Sequence, residues 1–365
     1  MNIVLIEPFF TGSHKQWAQG YKNHSKHNIH IIYLKGIYWK WRMHGGAITL
    51  SKIFNNYILE NGKPDLILVT DMLNLPVFTS FSDVAGIPIV SFFHENQITY
   101  PWSTQDRDKE KNRDHHYGFI NYTTALRSDL IMFNSSFHKN SFIKELKKFL
   151  KKFPDHNDLY NVDKIEDKSI VSYLGLDLKK FDQYKDDTQN KIPIILWNHR
   201  WEYDKNPYEF FNCLKKIKKN KIKFKLIILG EEFQTEMEVF TNARKYFSNE
   251  IIHIGYCKSF SEYATLLNKA DIIPVTTNQE FFGVSVIEAI YCDVYPLLPN
   301  RLTYPELFNN KKNPENFYLN SNELFLKLKE CIKNRDKKSL KKYSKEYDWS
   351  TVAKNYDNLM NKVIK

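Results

Sequence analysis

Several features are missing from this 365-residue chain, and each absence removes a class of protein. No apolar run approaches the ~20 residues that a membrane-spanning helix needs. The start, M-N-I-V-L-I-E, is too short for a secretory leader and is broken by Glu7. Cysteine is sparse. Cys213, Cys257, Cys292 and Cys331 stand apart with no C-x-x-C pair, which speaks against a zinc ribbon or a disulfide framework and for a reducing compartment. Arginine is scarce too, supplying eight of the 53 basic residues. Glycine is thin where a dinucleotide fingerprint would need it, since the first apolar run is followed by Gly12 alone. A carboxylate set for a metal is also lacking: Asp106 and Asp108 form a D-x-D triplet, but within a run of solvated charges. The expectation is a soluble, cytoplasmic protein without a membrane anchor or a bound metal.

What is present is enough chain for two ordinary domains and, at 42 % hydrophobic, enough apolar side chain for two cores. The formal charge of +11 suits a polyanionic partner, either nucleic acid or an anionic membrane surface. A lysine-rich composition, solvated on helix faces, would give the same figure.

Apolar runs alternate with amphipathic stretches from end to end. Those near residues 3–6, 29–34, 65–70, 87–92, 130–133 and 169–174 read as buried parallel strands of a first domain, 1–180. Those near 192–197, 224–230, 251–255, 271–276 and 294–298 read as the strands of a second, 192–347. Residues 182–191 read as the linker, and 348–365 as a long helix returning to the first domain. The fold expected is α/β, two Rossmann-like domains facing across a cleft.

In the first domain, Gly12, Ser13 and His14 follow the first strand. Residues 38–46 crowd Trp39, Trp41, Arg42, His44 and a glycine pair into what reads as a loop. It either stacks on bases or sugars or packs against the next helix. His94, Glu95, Asn96 and Gln97 end a buried strand, where such a sheet keeps its site.

The second domain is organised around E-F-F-G-V-S-V-I-E, residues 280–288. A buried strand precedes it and an amphipathic helix follows from Val284 to Tyr291. The N–H groups of Gly283, Val284 and Ser285 would then point out of a helix N-terminus, which favours an anion. Glu280 and Glu288 bracket that position. Arg200 and Lys205, in W-N-H-R-W-E-Y-D-K-N-P, occupy another strand-to-helix loop, where cations can meet a diphosphate. Glu231 and Tyr256 stand on further loops at the carboxyl ends of strands.

Taken in order, these motifs, together with Y-C-D-V-Y-P at 291–296 and Y-P-E at 304–306, resemble the tRNA-queuosine α-mannosyltransferases. That branch belongs to retaining glycosyltransferase family 4, of GT-B architecture. The resemblance covers almost the whole chain. It implies transfer of mannose from GDP-mannose to the cyclopentenediol of queuosine in tRNA, without a metal or other cofactor. It also implies roles. Arg200 and Lys205 would hold the diphosphate, with Gly12, Ser13, Glu231, Tyr256, Phe282 and the helix start at Gly283, Val284 and Ser285 also on the donor. Glu288 would take the ribose and Glu280 the hexose. His94 would sit by the acceptor hydroxyl, with His14, Trp39, Trp41, Arg42, His44, Glu95, Asn96 and Gln97 on the acceptor side. Asp293 departs from the glycine usual in related chains, and aspartate tolerates the left-handed backbone better than most residues. A lipid or surface-polysaccharide acceptor is the alternative within the same family.

Overall fold

The computed structural model describes residues 1–102, 115–185, 189–230, 238–334 and 339–364. Asp106, Asp108 and Glu231 lie outside the described residues. The chain forms two compact units, Met1–Asp177 with Tyr347–Lys365, and Leu178–Glu346.

In unit 1 the apolar runs become β1 (Asn2–Phe10), β2 (Asn28–Lys35), β3 (Leu66–Thr70), β4 (Ile89–Phe93), β5 (Leu130–Phe133) and β6 (Ser169–Val171). They form a parallel sheet in the order β2-β1-β3-β4-β5-β6. Helices α1 (Gly12–His24), α2 (Trp39–Asn61), α3 (Leu75–Ser80), α4 (His115–Arg127), α5 (Ser136–Leu150) and α6 (Tyr160–Asp167) connect them. Every residue of β3 and β4 is buried, as in a parallel sheet covered on both faces, so their sequences run apolar without alternation. Val4, Ile6, Ile67, Val69 and Ile89 pack with Phe54 and Phe78 of α2 and α3 in one core cluster. Strand order reverses between β1 and β3, and the loops after them open at that switch point.

Residues 38–46 depart from the loop expected. They open α2, a helix that buries Met43, Gly46, Ala47, Leu50 and Phe54 at helical spacing. The glycines misled because they read as turn signals. A Cβ on Gly45 would lie 2.6 Å from the Trp41 ring, so glycine there makes room for an indole one turn earlier.

Unit 2 repeats the pattern with β7 (Ile194–Asn198), α7 (Pro207–Lys219), β8 (Lys225–Leu229), α8 (Glu238–Tyr246), β9 (Ile251–Gly255), α9 (Phe260–Lys269), β10 (Ile272–Pro274), α10 (Val284–Tyr291), β11 (Tyr295–Pro299), α11 (Tyr304–Leu307), β12 (Phe317–Tyr318) and α12 (Ser321–Lys333). The sheet order is β12-β11-β10-β7-β8-β9, so its switch point lies between β7 and β10. β12 has two residues, too few for any periodicity to announce it. Asp182, read as the start of the linker, is instead bound within unit 2, where its carboxylate accepts from the Tyr291 hydroxyl and the Lys341 ammonium. Asp293 adopts φ +61°, and its Oδ1 accepts from the N–H groups of Leu340 and Lys341.

The chain closes with α13 (Trp349–Ile364), which belongs to unit 1. Trp349 lies against Gly20 of α1 and Gly175. A Cβ on either glycine would come within 2.3 Å of the indole. Asp357 accepts from the Tyr21 hydroxyl at 3.0 Å, the Ser25 hydroxyl at 2.6 Å and the Lys26 N–H at 2.8 Å.

Candidate active site

In unit 1 the carboxyl ends of β1, β3 and β4 bring four titratable side chains together. Glu7 is fully buried and holds His14 Nδ1 at 3.0 Å with one carboxylate oxygen, while the other accepts the Phe9 N–H. Asp71, just past β3, accepts the His94 N–H at 2.8 Å, and its second oxygen has no hydrogen-bond partner. The rings of His14 and His94 lie 4.1 Å apart, and Trp17 and Phe92 meet the His94 ring edge-on at 4.8 Å. Burial works against a charge on His14, but the carboxylates around it, Glu7 foremost with Asp71 and Glu95, together outweigh burial and raise its pKa to about 9. Burial, with His14 adding to it, holds His94 well below its ordinary value. Burial lifts Asp71 to about 8 against the pull of His14. At neutral pH an imidazolium therefore lies tilted against a neutral imidazole. Nε2 of His94 is closed off from solvent and has no partner.

The remaining first-domain candidates divide. Gly12 takes φ +49° at the start of α1, with open space where a side chain would stand, and Ser13 beside it is exposed. Asn96 is fully buried, and its Oδ1 accepts the Ile98 and Thr99 N–H groups, so its side chain is occupied by its own turn. Gln97 Nε2 donates to Glu95 at 3.0 Å. Trp39 packs with Met43, Met72, Tyr117 and Ile120, whereas Trp41 is 63 % exposed. Arg42 donates to the Lys35 carbonyl, and His44 lies 5.2 Å from the Tyr117 ring.

In unit 2 the loops after β7 and β10 meet at the switch point. Lys205 is buried, and its ammonium contacts the Gln279 carbonyl at 3.1 Å, Glu280 at 3.2 Å and Asp204 at 3.1 Å. Burial opposes that charge, yet Glu280 and Asp204 together raise the Lys205 pKa. Burial would raise Glu280, but Lys205 and His199 outweigh it, so Glu280 lies below its ordinary value, helped by the Phe282 N–H. The Phe282 ring itself is buried. Arg200 is half-exposed, with its guanidinium 3.2 Å from Glu202. Gly283, at φ +94°, opens α10 with no side-chain cap. Glu288 accepts from the Tyr263 hydroxyl at 2.6 Å, and Asn198 donates to both Tyr263 and the Ser285 carbonyl. Tyr256 is exposed.

Glu7, Asp71, His199 and Tyr263 escaped the sequence reading. Glu7 carried a usable signal: a carboxylate inside a continuous apolar strand, seven residues before a histidine. Tyr263 carried none. Among the described residues, two groups could hold a metal by proximity, Glu7 with His14 and His94, and His253 with Cys257 and Glu262. In the first, the Glu7–His14 ion pair already joins the facing atoms. In the second, Glu262 accepts the Lys258 N–H and stands three residues after Ser259, the side chain that caps α9.

Two buried histidines give a pH prediction. Burial pushes His138 down to about 3, and burial with Lys205 and Arg200 does the same to His199. Unfolding restores a pKa near 6.5, so the unfolded chain binds more protons. Their stabilisation is intact above that value and is lost as pH falls toward 3. At pH 5 each costs about 2 kcal/mol. His94 has the same sign, whereas Asp71, raised to about 8, and His14, raised to about 9, have the opposite one, contributing most at low pH and losing it as pH rises through those values, which offsets part of the loss. The urea midpoint should fall between pH 7 and 5, and fall less in His138→Gln. An equal fall would remove His138 from the account.

Comparison with known proteins completes the picture. The family described as tRNA-queuosine alpha-mannosyltransferase N-terminal matches residues 2–176, and the family described as Glycosyl transferases group 1 matches residues 179–347. A tRNA-queuosine alpha-mannosyltransferase of Drosophila melanogaster is 32 % identical over 337 residues, covering 90 % of this chain and 86 % of the relative. The solved sucrose-phosphate synthase of Thermosynechococcus elongatus superposes with a TM-score of 0.71 at 12 % identity, covering 100 % of this chain and 99 % of that one. Anabaena HepE, in complex with UDP, gives 0.69 at 16 % identity over 99 % of this chain and all of that one. Those two likenesses show the fold, tandem Rossmann-like units of the GT-B class.

Proposed function

This chain belongs to the tRNA-queuosine α-mannosyltransferase family, and from that premise we propose that it moves mannose from GDP-mannose onto the cyclopentenediol of queuosine in tRNA, with retention. The observation that carries the donor half is the buried Lys205, paired with Glu280, beside the uncapped start of α10, at the switch point of unit 2.

In the reaction the bond from the sugar C1 to the diphosphate oxygen breaks and a bond from C1 to the acceptor oxygen forms. The acceptor's proton passes to the departing phosphate oxygen. Arg200 and the N–H groups of Gly283, Val284 and Ser285 stabilise the negative charge that grows on the leaving group. Lys205 donates to the Gln279 carbonyl and to Glu280 and pairs with Asp204, so it acts by fixing Glu280 toward the hexose and by adding its charge. Glu288, oriented by Tyr263, takes the ribose hydroxyls. In unit 1, His94 stays neutral and orients the acceptor, and the ordinary carboxylate pair of retaining glycosidases is not needed.

The lysines of α5 bear on the acceptor. Phe142, Leu146, Phe149 and Leu150 face inward, and none of that helix's large apolar residues is among the exposed ones. A helix lying on a membrane would turn such residues outward. Among the described residues, no helix is long and apolar enough to cross a membrane.

The test is transfer from GDP-mannose to tRNA with and without queuosine, read by mass spectrometry of the nucleosides, with and without a chelator. Mannose should appear on queuosine alone and in equal amount under chelation. Equal labelling of both tRNAs, or labelling of a lipid extract instead, would sink the acceptor. Activity lost to the chelator and restored by Mn²⁺ would sink the metal-free donor site.

A further inference from the structure

On the surface of unit 1, Phe10 at the end of β1 stacks on Tyr33 of the edge strand β2, with ring centroids 4.1 Å apart. The Lys15 ammonium sits 5.9 Å from the Phe10 ring centre. The loop that follows β2 packs against the start of α1, since a Cβ on Gly36 would lie 2.3 Å from Thr11. That loop carries Tyr38, 77 % exposed, and one turn into α2 stands Trp41, 63 % exposed. Arg42 ties the two segments together, its Nε donating to the Lys35 carbonyl and its N–H to that of Tyr38. Three exposed rings and two cations thus stand on neighbouring segments, the end of β1, the start of α1, β2 and the start of α2.

The backbone adds an independent observation. Tyr38 is the N-cap of α2 at φ 53°, ψ 58°, and its side chain caps nothing. Asn206, the N-cap of α7, has nearly the same backbone, φ 52°, ψ 55°, and its side chain accepts the Glu209 N–H. Asparagine enters this left-handed region at far less cost than a bulky residue and also satisfies a helix donor. At position 38 a strained, non-capping, solvent-facing tyrosine stands where asparagine would be more stable. Strain of this kind marks positions where the side chain has another task.

We propose that Tyr38 and Trp41, flanked by Tyr33 and the cations Lys15 and Arg42, form a stacking platform for unpaired bases of the RNA acceptor. This rests on the tRNA reading above and assigns its contact surface. Single-stranded nucleic acid is held by aromatic faces interleaved with cations, and one base stacked on one ring corresponds to roughly 5- to 150-fold in affinity. Duplex RNA offers such a platform phosphates but no free base faces.

The experiment uses the full chain, fluorescence anisotropy, and two RNAs of equal length, an anticodon stem-loop hairpin and a continuous duplex. The wild type should prefer the hairpin. Tyr38→Asn and Trp41→Ala should each lose tenfold or more on the hairpin and leave duplex binding unchanged. Tyr38→Asn should also unfold at a higher urea concentration than wild type, an outcome that a purely structural tyrosine would reverse. Unchanged hairpin affinity, equal losses on both RNAs, or binding of phosphatidylserine vesicles in place of the hairpin would overturn the platform. If the hairpin binds this way but no mannose is transferred, the acceptor reading fails and the platform stands. If Tyr38→Asn and Trp41→Ala both transfer mannose at an unchanged tRNA KM, the platform fails and the acceptor reading stands.

Discussion

Lys205→Ala is expected to lower the stability of unit 2 by about 3–5 kcal/mol, while Arg200→Ala leaves the fold intact and lowers kcat about a hundredfold or more. The two cations stand on one loop but in different surroundings. Lys205 is 7 % exposed and lies between Asp204 and Glu280. Deleting it takes the shared ammonium from the buried Asp204 and the mostly buried Glu280, which costs more than the pair itself contributes. The sign of the pH dependence separates this loss from simple loss of packing. In the wild type the folded Glu280 lies below its ordinary value, so its contribution is present above about pH 4.5 and is lost as pH falls through the folded value. Without Lys205, burial dominates and raises it, and stability then declines as pH rises from about 4.5. Urea unfolding at pH 5 and 7.5 reads the difference, and a variant equally destabilised at both would refute the charge argument. Arg200 is half-exposed and pairs with the partly exposed Glu202. Near-normal turnover in Arg200→Ala would mean that another cation faces the diphosphate.

Truncation after Tyr347 should unfold unit 1 and spare unit 2. Trp349, Val352, Tyr356 and Met360 are all buried at 3 % exposure or less. At ~1.5–3 kcal/mol for each large apolar side chain, their loss removes on the order of 10 kcal/mol, comparable with the ~5–15 kcal/mol that holds a typical domain folded. The deletion also vacates the slot between Gly20 and Gly175 and strips Tyr21, Ser25 and the Lys26 N–H of Asp357. Hydrogen exchange should show the amides of β1, β3 and β4 unprotected in the truncated chain, with β7 and β8 protected as before. Protected strands in unit 1 would show that the helix is an accessory.

The sheets were legible because both are parallel and covered, so that a continuous apolar run such as residues 66–70 announces a strand by composition alone. α10 and α13 were legible for the converse reason, a clean helical period. The α2 start was not, because Gly45 serves the Trp41 ring rather than a turn, and nothing local distinguishes the two uses. In the loops after β7 and β10 the cations and carboxylates were visible, but not that Lys205 would be enclosed by its partners. The same holds in unit 1, where the His14–His94 pair depends on Glu7 and Asp71 arriving from two other strands. Pairings of this kind follow from strand order, which no local pattern encodes.

The return of α13 to unit 1 has a consequence for biosynthesis. Residues 1–177 leave the ribosome before any of unit 2, yet the helix that completes their fold is translated only after all of unit 2. At ~5–20 residues per second the intervening chain takes on the order of ten seconds or more to appear. Throughout that interval Trp17, Ala18 and Tyr21 of α1 lack their covering helix, and the nascent chain displays the kind of apolar face that chaperones hold. Unit 2, contiguous in sequence, can close as soon as it emerges. The half of the molecule made first is therefore the half that finishes folding last, and a circular permutant beginning at α13 would reverse that order without altering a single contact within unit 1.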